Sequence, residues 1–264
     1  MKRLSIYQVD AFTNKVFGGN PAAVCPLESW LPDETLQKIA HENNLSETAF
    51  FVPDEGEADY HLRWLTPTVE VDLCGHATLA SAYVIFNHLG FKKDTVSFRT
   101  RSGLLYVHRK DNGLMMDFPA WEYREIDIPD LVTEALGHQP DQLYSGVDWV
   151  AVYDDPDIIA KIDPDLNKIM QLEDVRAIVV TAKGTGETDF ISRFFGPRVG
   201  VPEDPVTGSA HCILTPIWAE KLGKTKLKAK QVSARGGELI CELKDKRVEI
   251  TGQAVLYMEG TINV

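Results

Sequence analysis

Polar and apolar residues alternate along RLSIYQVDAF, residues 3–12, which is the two-residue period of a half-buried strand. A glycine-proline loop, FGGNP, then leads into a short apolar strand, AAVCP. In PDETLQKIAHENN an acidic first turn precedes Leu36, Ile39 and Ala40 at helical spacing, predicting a helix. TAFFVP and DYHLRWLTP read as strands. GHATLASAYVIFNHLG reads as a helix that Gly90 closes at the position after its C-cap. DTVSFRTRSGLLYVHRKDNGLMMDFP then divides into three strands at its glycine turns.

The pattern recurs. Residues 63–118 can be laid over residues 193–250, with RWLTP (from Arg63) over RFFGP (from Arg193) and CGHAT over TGSAH. This places Gly75 over Gly208, and fifteen residues beyond each stands a Leu-Gly pair, Leu89-Gly90 and Leu222-Gly223. An ordered series of matches at kept spacing predicts a duplicated unit. Strands alternating with single long helices make the fold class α+β, two pseudo-symmetric halves, each a barrel-like mixed or antiparallel sheet around a central helix. The expected boundary falls where proline and acidic residues interrupt the pattern. It gives halves 1–118 and 119–264, with a C-terminal strand able to return to the first half.

Composition narrows the class. The chain has 264 residues with 44% hydrophobic and 25% charged content, as in ordinary globular proteins. Its net charge of −12 argues against nucleic-acid or anionic-membrane partners, which need a concentrated basic surface. No apolar run is long enough to span a bilayer, and the chain opens directly into a strand pattern instead of an apolar leader. Four scattered cysteines without a CxxC pair point to reduced thiols and a cytoplasmic location.

The candidate chemistry lies at the two loop-to-helix junctions, Cys74-Gly75-His76 and Thr207-Gly208-Ser209. Helix starts expose backbone N–H groups and partial positive charge, so a matched pair facing an interdomain cleft suits a small anionic ligand. Plain N-capping, with Thr207 or Ser209 capping its own helix and nothing more, is the simpler alternative. The second junction follows Glu203 and Asp204, with Asp72 at a comparable place before the first. In NNLSETAFF, Glu47 opens a strongly apolar segment, where desolvation would suit a carboxylate to proton transfer. A strand-edge acid facing water, or a capping partner of Asn44, would look the same in sequence.

Together these segments resemble the PhzF-like (phenazine biosynthesis-like) family, which has the diaminopimelate-epimerase fold. The resemblance is carried by QVDAFTNKVFGGNPAAV, NLSETAFF, WLTPTVEVDLCGHATLASA and SRFFGPRVGVPEDPVTGSAH, in order across nearly the whole chain. It implies a cofactor-independent isomerase, with no metal, that moves a proton on a small anionic metabolite. Glu47 would be the general acid/base, with His76 and Asp204 as further catalytic groups. Gly75, Cys74, Gly208, Ser209 and Thr207 would hold the substrate, and a homodimer is expected.

Related epimerases use a cysteine at each junction. Here Thr207 replaces the second, and a hydroxyl is far too weak an acid to replace a thiol, so two-cysteine racemisation is set aside. A Cys74-dependent enzyme tuned by His76, and a non-catalytic metabolite-binding protein of the same fold, stay as alternatives. A zinc site from Cys74, His76, His211 and Cys212 is disfavoured, because adjacent residues on a helix do not face one point.

Overall fold

The computed structural model describes residues 1–264. The chain divides into two units, one of residues 1–117 with 251–264 and one of residues 118–250. The first begins with β1 (Arg3–Ala11), β2 (Asn20–Pro26), α1 (Asp33–Asn43), β3 (Glu47–Pro53) and β4 (Tyr60–Leu65). It continues through β5 (Glu70–Val71), α2 (Gly75–His88), β6 (Thr95–Thr100), β7 (Gly103–Lys110) and β8 (Gly113–Pro119). The second unit starts with β9 (Arg124–Ile126), α3 (Asp130–Leu136), β10 (Gln142–Ser145), β11 (Trp149–Tyr153), α4 (Pro156–Lys161) and α5 (Leu166–Ile169). Then come β12 (Ile178–Lys183), β13 (Phe190–Gly196), β14 (Val201–Asp204), α6 (His211–Leu222), β15 (Lys226–Gln231), β16 (Gly237–Lys244) and β17 (Arg247–Gly252). Finally β18 (Ala254–Asn263) pairs antiparallel with β1, from Ala11↔Ala254 to Arg3↔Asn263, and so belongs to the first unit.

The two units repeat one ladder. β2 runs parallel to β3 as β11 does to β12, and β3 is antiparallel to β4 as β12 is to β13. β4 pairs in parallel with β6, and β13 with β15. In the first unit Arg63 faces Phe50; in the second Arg193 faces Val180. Likewise Trp64 faces Val71 and Phe194 faces Asp204. Asp204 therefore corresponds to Val71 and not to Asp72, whose side chain is 76% exposed beside Arg101. Counting back four residues from Gly75 and Gly208 gives the same pair, so only the looser comparison of one acid with another put Asp72 in that place.

The same register explains Glu203. Arg193 grips it with Nε and Nη2 at 2.7 and 3.0 Å, just as Arg63 grips Glu70 at 2.8 and 2.7 Å. Each arginine also lies over an aromatic ring, Phe195 or Trp30. Such bidentate pairs fix planar geometry, and here each fastens the short strand before a helix junction to the strand that precedes it.

Both central helices are buried nearly all round. In α2 the buried positions run through Ala77, Leu79, Ala80, Ala82, Val84 and Ile85, and the helix packs on β1, β2, β3 and β18. Its buried hydroxyls bond back to their own helix, Thr78 to the Cys74 carbonyl at 2.6 Å and Ser81 to the Ala77 carbonyl at 2.7 Å. In α6, Pro216 cannot donate to the carbonyl of Cys212. The Trp121 N–H takes that carbonyl instead, at 3.0 Å. The amphipathic α1 lays Leu36, Ile39 and Ala40 on a core with Leu4, Ile6, Phe50 and Leu65. No helix is long and apolar enough to cross a membrane, and none of the four cysteines is in a disulfide.

Candidate active site

The first site is built by two chain turns. Asn44 ends α1 in the left-handed conformation (φ 49°), which asparagine tolerates better than most residues, and the chain then enters β3 with Glu47 as its first residue. The second turn is the start of α2. Cys74 is extended (φ −144°) and gives no side-chain cap, and its carbonyl accepts the first helical bond, from Thr78 N–H at 3.1 Å. The helix therefore begins at Gly75 with its positive end unneutralised by any acid in its first turn.

Glu47 meets the helix there. Its Oε2 lies 3.2 Å from His76 Nε2, and its side chain is only 15% exposed. The contact is close but off the line of a hydrogen bond. The other ring nitrogen, Nδ1, lies 3.5 Å from the Cys74 thiol. Burial drives His76 down to about 3, so the ring is neutral near pH 7. Thiol, imidazole and carboxylate thus form a short chain with the ring in the middle.

These three groups lie within 4.8 Å of one another, which is also the spacing of a metal-ligand set. However, the ring stands between the other two with a different nitrogen toward each. An ion at the usual ~2.0–2.3 Å from all three would require the ring to turn.

The second junction is built differently. The turn Gly208-Ser209-Ala210 makes three-residue hydrogen bonds, His211 N–H to the Gly208 carbonyl and Cys212 N–H to the Ser209 carbonyl, both 3.0 Å. So α6 starts at His211, three residues past the glycine, whereas α2 starts at its glycine. Neither Thr207 nor Ser209 caps the helix. The Thr207 hydroxyl donates to Asp204 Oδ2 at 2.5 Å. Buried Gln231 ties the loop down, accepting from Thr207 N–H at 2.8 Å and donating to the Asp204 carbonyl at 2.7 Å.

His211 is fully buried, and its Nδ1 bonds the Thr207 carbonyl at 2.8 Å. Burial lowers it to about 4 although that bond opposes the shift. Burial also pushes the Cys212 thiol well up, so it is inert.

Ser209 has a partner the sequence did not suggest. Its Oγ accepts from Arg176 Nη2 at 3.3 Å, and Arg176 holds the buried Asp148 through Nε at 2.8 Å and Nη2 at 2.6 Å. Burial raises Asp148 while the guanidinium opposes that rise. Arg176, Asp148 and Gln231 were all missed by sequence reasoning. The available signal was position: Arg176 in EDVRAIVV and Asp148 in GVDWVAVY are charges placed immediately before apolar strands, as Glu47 is.

Comparison with known proteins agrees with this architecture. The family described as phenazine biosynthesis-like protein matches residues 9–260. A Pseudomonas aeruginosa protein called an uncharacterized isomerase is 52% identical over 99% of both chains. A crystal structure of a PhzF-family phenazine biosynthesis protein from Enterococcus faecalis superposes with a TM-score of 0.96 at 46% identity, covering all of both chains. A hydroxyproline epimerase from Agrobacterium vitis, solved with trans-4-hydroxy-L-proline, shares the fold alone, at 11% identity and TM-score 0.62. The chain belongs to the phenazine biosynthesis-like family and, like the relatives it matches from end to end, it is an isomerase.

Proposed function

We propose that this isomerase works by general acid–base catalysis at Glu47, moving a proton on a small anionic metabolite without an organic cofactor. The observation that carries the reading is the pairing of a nearly buried Glu47 carboxylate with a neutral imidazole 3.2 Å away, at the positive end of α2, whose first turn holds no acid. As a carboxylate, Glu47 removes a proton from a carbon next to an activating group. The resulting acid returns that proton to another carbon, which leaves the carboxylate regenerated and the substrate isomerised.

His76 sits beside the carboxylate throughout. With the Cys74 thiol at Nδ1, the tautomer that accepts there carries its proton on Nε2, toward Glu47. A neutral imidazole steadies the carboxylate without fixing it as a permanent ion pair, which would weaken it as a base. The N–H groups at Gly75 suit an anionic group on the substrate. On this reading Asp204 assists catalysis, and Thr207, Gly208 and Ser209 contribute to holding the substrate.

The test is proton exchange. A panel of small cyclic and acyclic carboxylic acids, incubated with the protein in D2O, is followed by NMR for deuterium entering at carbon. Glu47→Gln keeps the fold and lowers exchange by about 10²–10⁴-fold. Exchange at the wild-type rate in Glu47→Gln rejects the mechanism.

A further inference from the structure

The ladder register extends the internal repeat to residues that the sequence overlay did not reach. Phe50 and Val180 are equivalent because Arg63 and Arg193 face them. Three residues earlier, Glu47 therefore corresponds to Ala177, and Arg176 is its neighbour. On the helix side, Gly75 corresponds to Gly208, so His76 corresponds to Ser209. Each unit thus brings the start of one strand against the start of its helix junction. In the first unit the meeting pair is Glu47 with His76; in the second it is Arg176 with Ser209.

We infer that Arg176 and Ser209 form a subsite for a carboxylate on the substrate. The inference rests on reading Ser209 as a substrate-holding residue.

The guanidinium is built for this use. One edge, Nε and Nη2, is spent on Asp148, which is fully buried and keeps the group from turning. The rings of Trp121 and Phe194 lie 5.4 and 5.5 Å from Cζ and restrict it further. No protein acceptor engages Nη1.

The two structural arginines behave otherwise. Arg63 and Arg193 use Nε, Nη1 and Nη2 all three, and their side chains are 13% exposed. Arg176 is 34% exposed and keeps an amino group in reserve. Ser209 Oγ accepts from Arg176, so its own hydroxyl hydrogen is available to donate. An N–H and an O–H donor side by side on a fixed frame match the two oxygens of a carboxylate.

The experiment compares acids with their isosteric amides, acetate with acetamide and benzoate with benzamide, by titration calorimetry on the full chain. In the wild type at least one acid binds about tenfold or more tightly than its amide. Arg176→Gln brings that ratio close to one, Arg176→Lys leaves part of it, and Ser209→Ala lowers it a few-fold. Should Arg176→Gln fail to fold because Asp148 is left unpaired, the double variant Asp148→Asn with Arg176→Gln removes both charges and is titrated in its place.

Glu47→Gln keeps the acid-to-amide ratio while losing proton exchange, so the subsite and the proton-transfer mechanism stand or fall separately. The subsite is overturned if no acid in the panel binds more tightly than its amide. It is equally overturned if the ratio survives loss of the arginine.

Discussion

Two buried neutral histidines make the stability of this protein depend on pH in a calculable way. His76 and His211 titrate near 6.5 in an unfolded chain, but burial holds them at about 3 and about 4 in the fold. Above pH 6.5 both states are neutral and nothing is lost. Below it the unfolded chain takes up two protons that the folded chain refuses, so stability falls as pH falls. At pH 5.5, one unit below the unfolded value, each histidine costs between about 1 and 2 kcal/mol, or about 3 kcal/mol together. His61, lowered mainly by burial, acts in the same direction. Carboxylates in the unfolded chain titrate lower, near 4, while the folded Asp148, raised mainly by burial, acts in the opposite direction, so the imidazole part is read from the histidine variants.

Urea denaturation at half-unit steps from pH 7 to 5.5 should show the loss. His76→Gln and His211→Gln should each remove a little under half of the slope, whatever they do to stability at pH 7. If the units unfold separately, each transition carries its own proton. A midpoint that does not move between pH 7 and 5.5 refutes the reasoning, as does an undiminished slope in His76→Gln. A midpoint that rises in the wild type and not in His76→Gln would show His76 to be an imidazolium paired with a Glu47 carboxylate, since a raised pKa adds stability below the unfolded value.

Arg193→Met strips two bonds from Glu203 and leaves the carbonyls of Ile159 and Ile162 without their donor. The cost should be about 3–5 kcal/mol, read by calorimetry as a fall in Tm of roughly 10 °C, with part recovered when Glu203→Leu is added. Gly19→Ala should cost more than about 2 kcal/mol, because at φ +61° its Cβ would lie 2.1 Å from the Ala11 carbonyl oxygen. Gly90→Ala, also at positive φ but with nothing within 4 Å, should cost only about 1 kcal/mol in the same urea assay. Cys74→Ser should slow proton exchange only about 2–5-fold, the value of one weak hydrogen bond to His76. Abolished exchange in that variant would favour the cysteine-dependent alternative.

Much of the fold was legible because its period is strong. The alternation in RLSIYQVDAF and the glycine turns between β6, β7 and β8 match the observed elements, and Gly90 sits just past α2 with φ +69°. The repeat was legible where both copies kept the same residue types, as at Arg63 and Arg193. It faded where the copies diverged in chemistry: nothing in AIVV advertises that Ala177 stands where the first unit has Glu47. The α6 start was misplaced by three residues because a tight turn and a helix have the same composition at Gly208-Ser209-Ala210. Arg176 and Asp148 escaped notice because their meaning lies in a contact between segments 28 positions apart.

The pairing of β1 with β18 sets an order of events during synthesis. Residues 118–250 form one continuous stretch and can collapse as soon as they leave the ribosome. The first unit has an early strand whose neighbour lies some 250 positions later, with Arg3 aligned to Asn263. Until residues 254–263 arrive, that edge of β1 is an open row of N–H and C=O groups, able to template foreign strands. The half that is made first is therefore the half that finishes last, its sheet closing only when the final strand has been made.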